Sequence, residues 1–162
     1  MKKIFRNVVA AFAAVMLVSA FASCSDSDDG DDKKQETPAT PVEVWSGSQT
    51  IDWGDNGVVI DHAKFTADFT SIRITYNATA GALKMAVCDP WTEIAPATVS
   101  EGASIADDGA VNLATGDAKT VTIKLADAAV AGIKGQGKAG AWGGVKIFGA
   151  ESITITKVES VK

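Results

Sequence analysis

Four stretches of this chain alternate apolar and polar residues with a period of two. They cover residues 72–76, 83–87, 121–125 and 153–156. Successive side chains of a β-strand point to opposite faces, so each stretch can turn one face to a core and the other to water. Val158 shifts the phase of the last stretch. The pattern predicts a fold built from half-buried strands.

The segments beside these strands carry turn-forming residues. Residues 78–81 predict a hairpin loop, and the glycines and polar residues of 54–57 predict a turn. Shorter strands are expected around residues 58–60 and 145–147, where Val and Ile alternate with other residues. Many short strands separated by turns are typical of an all-β fold.

One segment departs from the strand pattern. Residues 127–134 predict a short helical turn, with Asp127 as its cap and Gly135 as its end. Such a turn is too short to act as the crossover that joins parallel strands. The sequence therefore predicts an antiparallel β-sandwich over residues 42–162.

The first 23 residues have the composition of a secretory signal peptide. Basic residues open the segment, an apolar stretch follows over residues 8–17, and small residues precede Cys24. The apolar stretch is shorter than the ~20 residues that span a bilayer. A cysteine directly after the small residues resembles a lipoprotein signal, which implies removal of residues 1–23 and attachment of a lipid such as palmitate to Cys24. The membrane is then a partner through that lipid.

Residues 24–41 predict a flexible acidic tether. The segment contains six acidic residues and two lysines, and it shows no apolar periodicity. A chain of this composition cannot bury enough apolar surface to become ordered. It can be a plain spacer, but an acidic run after a lipidated cysteine also resembles the surface-export signal of gut-type Gram-negative lipoproteins. We favour the second interpretation, so we expect an outer-membrane protein that faces the cell exterior.

Charge and residue counts exclude several classes of function. Removal of three basic residues with the signal peptide leaves 12 basic and 20 acidic residues, a net charge of −8. This excess repels phosphate backbones, so no nucleic-acid partner is expected. The single His62 and the lone Cys88 cannot supply a zinc site, and nothing points to a Ser-His-Asp triad. No catalytic residue and no enzymatic activity are expected. An unrecognised acid pair of a glycoside hydrolase remains an alternative.

The tryptophans are the strongest candidates for a binding function. The chain has one tyrosine but four tryptophans, which are Trp45, Trp53, Trp91 and Trp142. Trp45 lies in the first strand and is interpreted as a core residue. The other three lie in segments rich in glycine, carboxylates or other polar residues. Core packing is the alternative for each of them, because Trp is highly buried on average.

An indole matches a sugar ring in two respects. Its flat apolar face can stack on the C–H bonds of the ring, and its N–H can donate to a hydroxyl. Carboxylates and ammonium groups beside an indole can bond further hydroxyls. The candidate ligand-binding residues are therefore Trp53, Trp91 and Trp142 for stacking, with Asp52, Asp89, Glu93 and Lys146 for hydrogen bonds.

Several motifs together resemble a group of small jelly-roll modules similar to carbohydrate-binding modules. They are Trp45-Ser46-Gly47, Ile51-Asp52-Trp53-Gly54, the turn at Trp91, residues 121–127 and residues 149–159. Such modules occur in surface lipoproteins and polysaccharide-degrading enzymes of gut-type Gram-negative anaerobes. The resemblance implies a jelly-roll-like sandwich with Trp53 and Trp91 on the glycan face. Related modules often have a longer apolar strand where Trp142 lies.

The resemblance also raises the question of a metal. Some jelly rolls hold a structural calcium through acids of the first and last strands, where this chain has Glu43 and Glu159. Nothing else in the sequence supports such a site. We therefore expect no metal ligands and no cofactor.

These observations predict non-catalytic polysaccharide binding by a lipid-anchored cell-surface module. A neighbouring surface enzyme or transporter would receive the bound polymer. The alternative is a protein-interaction or structural subunit of an outer-membrane surface complex, in which the exposed tryptophans form one apolar patch against a partner protein.

Overall fold

The computed structural model describes residues 40–65, 68–137 and 143–162. In these residues the chain forms eleven β-strands, one α-helix and one 3-10 turn at His62–Lys64. The strands are β1 (Val42–Thr50), β2 (Val58–Asp61), β3 (Ser71–Ala78), β4 (Ala82–Cys88), β5 (Trp91–Ile94), β6 (Pro96–Val99), β7 (Ser104–Ile105), β8 (Val111–Asn112), β9 (Gly116–Leu125), β10 (Gly144–Gly149) and β11 (Ile153–Val161). The helix is α1 (Asp127–Lys134).

The strands form two antiparallel sheets. The first sheet has the order β1-β11-β3-β9-β6, and the second has the order β2-β10-β4-β8-β7, with β5 paired to β4. Along the chain, β1 to β4 and β9 to β11 alternate between the two sheets. This alternation is typical of a jelly-roll-like arrangement. The predicted hairpin at residues 78–81 is wrong, because β3 and β4 belong to different sheets and do not pair with each other. The predicted all-β antiparallel sandwich is confirmed.

The core lies between the sheets and is formed by the apolar positions of the predicted alternation. From β3, Ile72, Ile74 and Tyr76 are fully buried, and the other three predicted stretches bury their apolar residues in the same way. Burial of each such side chain is worth about 1.5–3 kcal/mol. The Tyr76 hydroxyl donates to the carbonyl oxygen of Ala114 at 3.1 Å, so this polar atom keeps a partner inside the core.

The predicted change of phase in the last strand is confirmed and has a clear cause. The pairing of β11 with β3 shifts between Ile155 and Lys157, so Thr156 is an extra residue. The bulge returns Val158 to the core, where it is fully buried opposite Ile74.

A similar irregularity in β1 explains the position of Trp45. Its pairing with β11 shifts between Glu43 and Trp45. As a result Val44 is buried and the neighbouring Trp45 also packs, partly buried, against the core cluster. Gly47 lies so close to the indole that a Cβ there would be 2.9 Å from a ring carbon of Trp45. Trp45 therefore packs against the core but is not one of its fully buried residues.

The helix also follows the prediction, except at its start. It spans Asp127–Lys134 and ends at Gly135 as expected. Its N-cap is Ala126, without a side-chain cap bond, so the prediction that Asp127 caps the helix is wrong. Asp127 is instead the first helical residue. Its negative charge there interacts favourably with the positive N-terminal end of the helix dipole. Ile133 anchors the helix because its side chain is fully buried in the core.

Candidate functional site

The outer face of the second sheet carries the candidate site. In β10, Val145 and Ile147 are buried in the core, so the alternating residues Lys146 and Phe148 belong to the outer face. Lys146 pairs with Ala86 of β4. β10 is an interior strand of this sheet, because it lies between the edge strand β2 and β4.

Three aromatic rings meet on this face, and we call Trp53, Trp91 and Phe148 the aromatic patch. Trp53 is 50% exposed and Trp91 is 53% exposed, whereas Phe148 is only 7% exposed. The ring centroids of Trp53 and Phe148 are 6.1 Å apart with an interplanar angle of 84°. Those of Trp91 and Phe148 are 5.5 Å apart with an angle of 48°. Both distances are typical of aromatic contacts, so the two exposed indoles cover one buried phenyl ring.

Trp53 is held by a tightly bonded turn between β1 and β2. Asp52 Oδ1 accepts hydrogen bonds from the backbone N–H groups of Gly54 at 2.7 Å and Asn56 at 3.0 Å. Its Oδ2 accepts from Asn56 Nδ2 at 2.6 Å. Desolvation opposes ionisation, but the hydrogen bonds from Asn56 and Gly54 hold the pKa of Asp52 below its ordinary value. The carboxylate is therefore engaged in positioning Trp53.

Lys146 connects the two indoles. Its Nζ donates to the carbonyl oxygen of Gly54 at 2.8 Å, which binds the Trp53 turn to β10. The same Nζ lies 6.0 Å from the ring centroid of Trp91, within the range of a cation–π contact. In the part of the chain that the structure describes, Lys146 forms no ion pair with a carboxylate. Its ammonium group keeps two N–H donors beyond the bond to Gly54.

Gly57 leaves space for the aliphatic part of Lys146. A Cβ at Gly57 would lie 2.7 Å from Lys146 Cε and 2.7 Å from the carbonyl oxygen of Ile147. Real Cβ contacts are not this short, so any larger residue would push the turn away from β10. The glycine thus allows the turn to lie flat on the sheet.

Trp91 and Glu93 are presented together by β5. This strand pairs with β4, with Trp91 opposite Cys88 and Glu93 opposite Ala86. Residues two apart share one face of a strand, so Glu93 lies on the same side as Trp91. Its side chain is 51% exposed and its Oε2 accepts a hydrogen bond from Lys84 Nζ at 3.1 Å. Glu93 is therefore an accessible acceptor beside the patch, and it shares Lys84 with Asp108, whose Oδ2 lies 3.4 Å from the same Nζ.

Asp89 and Glu93 both line one cleft, and Gln136 holds the backbone of Asp89. Its backbone N–H donates to Gln136 Oε1 at 2.9 Å, and its carbonyl oxygen accepts from Gln136 Nε2 at 2.6 Å. These bonds fasten the start of the β5 turn to the end of α1. The cleft, of ≈ 530 Å³, lies between β5 and α1, and its other walls are mainly alanine, valine and isoleucine side chains.

Two predicted residues lie outside the described residues. They are Trp142, the third candidate for stacking, and Cys24, the predicted lipid attachment site. Within residues 40–65, 68–137 and 143–162, no helix has the length and apolar character needed to cross a membrane.

The two acids at the calcium positions of some jelly rolls, Glu43 and Glu159, bond to other side chains. Glu43 Oε1 accepts from the Ser46 hydroxyl at 2.8 Å. Glu159 accepts from Arg73 Nε at 2.8 Å and from Lys157 Nζ at 3.1 Å. Across the described residues, no three His, Cys, Asp or Glu side chains are grouped so that they could hold a metal ion.

The remaining reactive side chains have ordinary structural roles. His62 Nδ1 lies 3.0 Å from the carbonyl oxygen of Gly143 and 3.2 Å from Asp61 Oδ1. Burial raises the pKa of the Cys88 thiol, although the nearby charge of Lys146 acts in the opposite direction. A thiol with a raised pKa is a poorer nucleophile at neutral pH.

Sequence reasoning missed Phe148, which is the centre of the aromatic patch. The signal was present, because Phe148 follows Ile147 and therefore falls on the polar phase of β10 together with Lys146. A large aromatic residue at an outward position needs a cover or a ligand. Here Trp53 and Trp91 provide the cover.

The chain was also compared with models of protein families, with curated proteins and with solved structures, and none of the three comparisons found a match.

Proposed function

We propose that this protein is a non-catalytic carbohydrate-binding module that a lipid on Cys24 anchors to the outer membrane, facing the cell exterior. The observation that carries the proposal is the aromatic patch, in which two half-exposed indoles rest on one buried phenyl ring. The anchor itself is supported by the sequence alone, through the signal-like segment and the cysteine that follows it.

The exposed indoles have the properties of a preorganised stacking surface. Their position costs free energy in water, since each Å² of exposed apolar surface forgoes about 25 cal/mol. The hydrogen bonds of Asp52 and Lys146 hold the Trp53 turn, and strand pairing holds the backbone of Trp91. A ligand would therefore find the rings already in place and would not have to order them.

Polar groups beside the patch match the edge of a sugar ring. Lys146 offers free N–H donors, and Glu93 offers a carboxylate oxygen beyond the one bound to Lys84. The indole N–H groups are further donors. The patch therefore complements a sugar ring, whose apolar C–H face can stack on an indole and whose hydroxyls can bond the neighbouring donors and acceptors.

The size of the patch favours a small ligand over a protein. An indole buries roughly 150–250 Å² when it is fully covered, so two half-exposed indoles offer only about 200 Å². A standard protein interface needs about 800 Å² on each partner. The patch covers about a quarter of that area, which suits a few sugar units. A protein partner would need a much larger contact around it.

Weak binding at a single site is expected, because sugar hydroxyls give up good hydrogen bonds with water. Many copies of the protein on one cell would raise the effective affinity for a polymer, since one chain could engage several copies. Such a module would hold a polysaccharide near a neighbouring enzyme or transporter.

Fluorescence titration of the full chain tests the proposal. The protein is purified in a detergent without a sugar headgroup and titrated with plant and host polysaccharides while the tryptophan emission is recorded. At least one polysaccharide should shift the emission, and Trp53→Ala or Trp91→Ala should weaken the binding. Val42→Ala is the matched control, because Val42 is an exposed apolar residue on β1 of the other sheet.

The outcome also separates the alternatives. Absence of a shift with every polysaccharide would contradict the proposal. A stable protein partner captured from solubilised envelope through the aromatic patch, without any glycan binding, would favour the interaction-subunit hypothesis. Release of reducing sugar from a bound polymer would show a hydrolase instead.

A further inference from the structure

The two exposed indoles are inclined to each other. Trp53 makes an angle of 84° with the ring of Phe148, and Trp91 makes an angle of 48° with the same ring. The angle between two planes is at least the difference between the angles that each of them makes with a third plane. The planes of Trp53 and Trp91 therefore differ by at least 84° − 48° = 36°.

The indoles are also close together. Their centroids lie 6.1 Å and 5.5 Å from the centroid of Phe148, so they are at most 11.6 Å apart. Sugars of one short oligosaccharide can reach both rings at this separation. The patch is thus one site with two inclined stacking faces.

The inclination is built into the fold. Three hydrogen bonds to Asp52 shape the turn that carries Trp53, and Lys146 Nζ binds that turn to β10. Trp91 belongs to a strand whose backbone is paired with β4. To make the indoles parallel, at least one ring would have to change its angle to Phe148.

We infer that the ligand is a single polysaccharide chain whose successive sugar rings are turned relative to one another. This inference rests on the proposed function and deepens it. A sugar stacks with its face parallel to the indole beneath it, so two sugars stacked on Trp53 and Trp91 must be inclined by the same angle of at least 36°. A coiled or twisted chain meets this condition. The flat surface of a crystalline polysaccharide does not, because its exposed rings lie in one plane.

Matched pairs of glycans test the inference. Each pair contains one sugar in two linkages, such as coiled α-1,4-linked and flat β-1,4-linked glucose oligomers, or α-1,6-linked and β-1,4-linked mannose oligomers. The full chain in a detergent without a sugar headgroup is titrated with both members, and its depletion by crystalline cellulose and chitin is measured. For the sugar that binds, we expect at least tenfold tighter binding of the coiled member and no depletion by the crystals.

Two variants show whether the inclination is the cause. Trp91→Ala leaves one stacking face, which cannot sense the angle between neighbouring sugars, so the preference should fall below about twofold. Trp53→Phe keeps an aromatic face, so it should preserve the preference. Circular dichroism checks that both variants are folded.

The results distinguish the two levels of the proposal. Equal or tighter binding of the flat members or the crystals would overturn this inference and leave carbohydrate binding intact. A preference that survives Trp91→Ala would overturn it as well. Failure of all glycans to bind would overturn the proposed function, and this inference with it.

Discussion

The two outer faces of the sandwich enclose one shared core but differ in the side chains that they expose to water. The outer face of the first sheet carries threonines and a cross-strand ion pair in which Arg73 Nε donates to Glu159 Oε2 at 2.8 Å. The outer face of the second sheet carries the aromatic patch. A sandwich needs only its inner faces to fold, so the outer faces are free to differ. On the polar face, the charged groups of Arg73 and Glu159 pair with each other. On the aromatic face, the two indoles remain half exposed.

The largest expected effect is a loss of glycan binding when the aromatic face is altered but not when the polar face is altered. Replacing both Trp53 and Trp91 with Ala should remove at least about 2 kcal/mol of binding free energy per residue, as for interface hot spots. This is a loss of roughly 30-fold for each residue in fluorescence or calorimetric titration. Thr122→Ala on the outer face of the first sheet is the control and should bind like the unaltered protein. An equal loss in the control would erase the distinction between the faces.

A smaller effect is expected where the Trp53 turn lies on the sheet. Gly57→Ala would place a Cβ 2.7 Å from the carbonyl oxygen of Ile147. The cost of such overpacking is about 1–3 kcal/mol of unfolding free energy, measured by urea denaturation. Gly54→Ala in the same turn is the control, because its Cβ would have an acceptable contact of 3.4 Å with Asp52 Oδ1. If both variants were equally stable, the close approach of the turn to β10 would be wrong.

On the polar face, the stability should depend on pH through Glu159. The hydrogen bond from Arg73 outweighs desolvation and, with Lys157, holds the pKa of Glu159 below its ordinary value. The ionised carboxylate therefore stabilises the fold at pH 7, and this contribution is lost as pH falls through the lowered pKa. Glu159→Gln should cost about 1.5 kcal/mol at pH 7, the range of a hydrogen bond to a charged group.

The same variant provides its own test. The difference in stability from the unaltered protein should begin to shrink near the ordinary Glu pKa of about 4.3 and vanish below the lowered pKa. Unfolding curves at a series of pH values measure it. A difference that is constant from pH 7 to pH 3 would show that the ion pair is not its source.

The smallest expected effect concerns Lys146. Lys146→Gln removes the charge near Trp91 and weakens the bond to Gly54. The loss should be about 1 kcal/mol of glycan binding, as for a single hydrogen bond. Titration should therefore show roughly fivefold weaker binding. Lys124→Gln, at an exposed position of β9, is the matched control and should leave binding unchanged.

The long strands could be predicted because their residues alternate strictly. The inward positions of β3, β4, β9 and β11 follow from period two, and the sequence also shows the shift at Val158 that the bulge produces. The short strands β5 to β8 were not predicted. Two to four residues are too few for a period, and these strands exist because longer neighbours pair with them.

The site was predictable only in part. Trp53 and Trp91 stood out because they lie among glycines and carboxylates, and the structure brings them to one surface with Lys146 and Glu93. Asp52 and Asp89 look equally suitable in the sequence. Their separate roles depend on their partners. Turn amides donate to the carboxylate of Asp52, whereas Gln136 bonds the backbone N–H and carbonyl oxygen of Asp89. The contact between Asp89 and Gln136 joins segments far apart in the chain, and no sequence pattern shows that they meet.

The direction of β1 gives the sandwich two distinct poles. Val42 begins the strand and pairs with Ser160 of β11, so the chain enters and leaves the sandwich at one pole. The turn that carries Trp53 follows the other end of this nine-residue strand. At about 3.3 Å per residue, the two ends lie roughly 25–30 Å apart. The Trp53 turn therefore lies at the end of β1 opposite to Val42, about the length of the strand away from it.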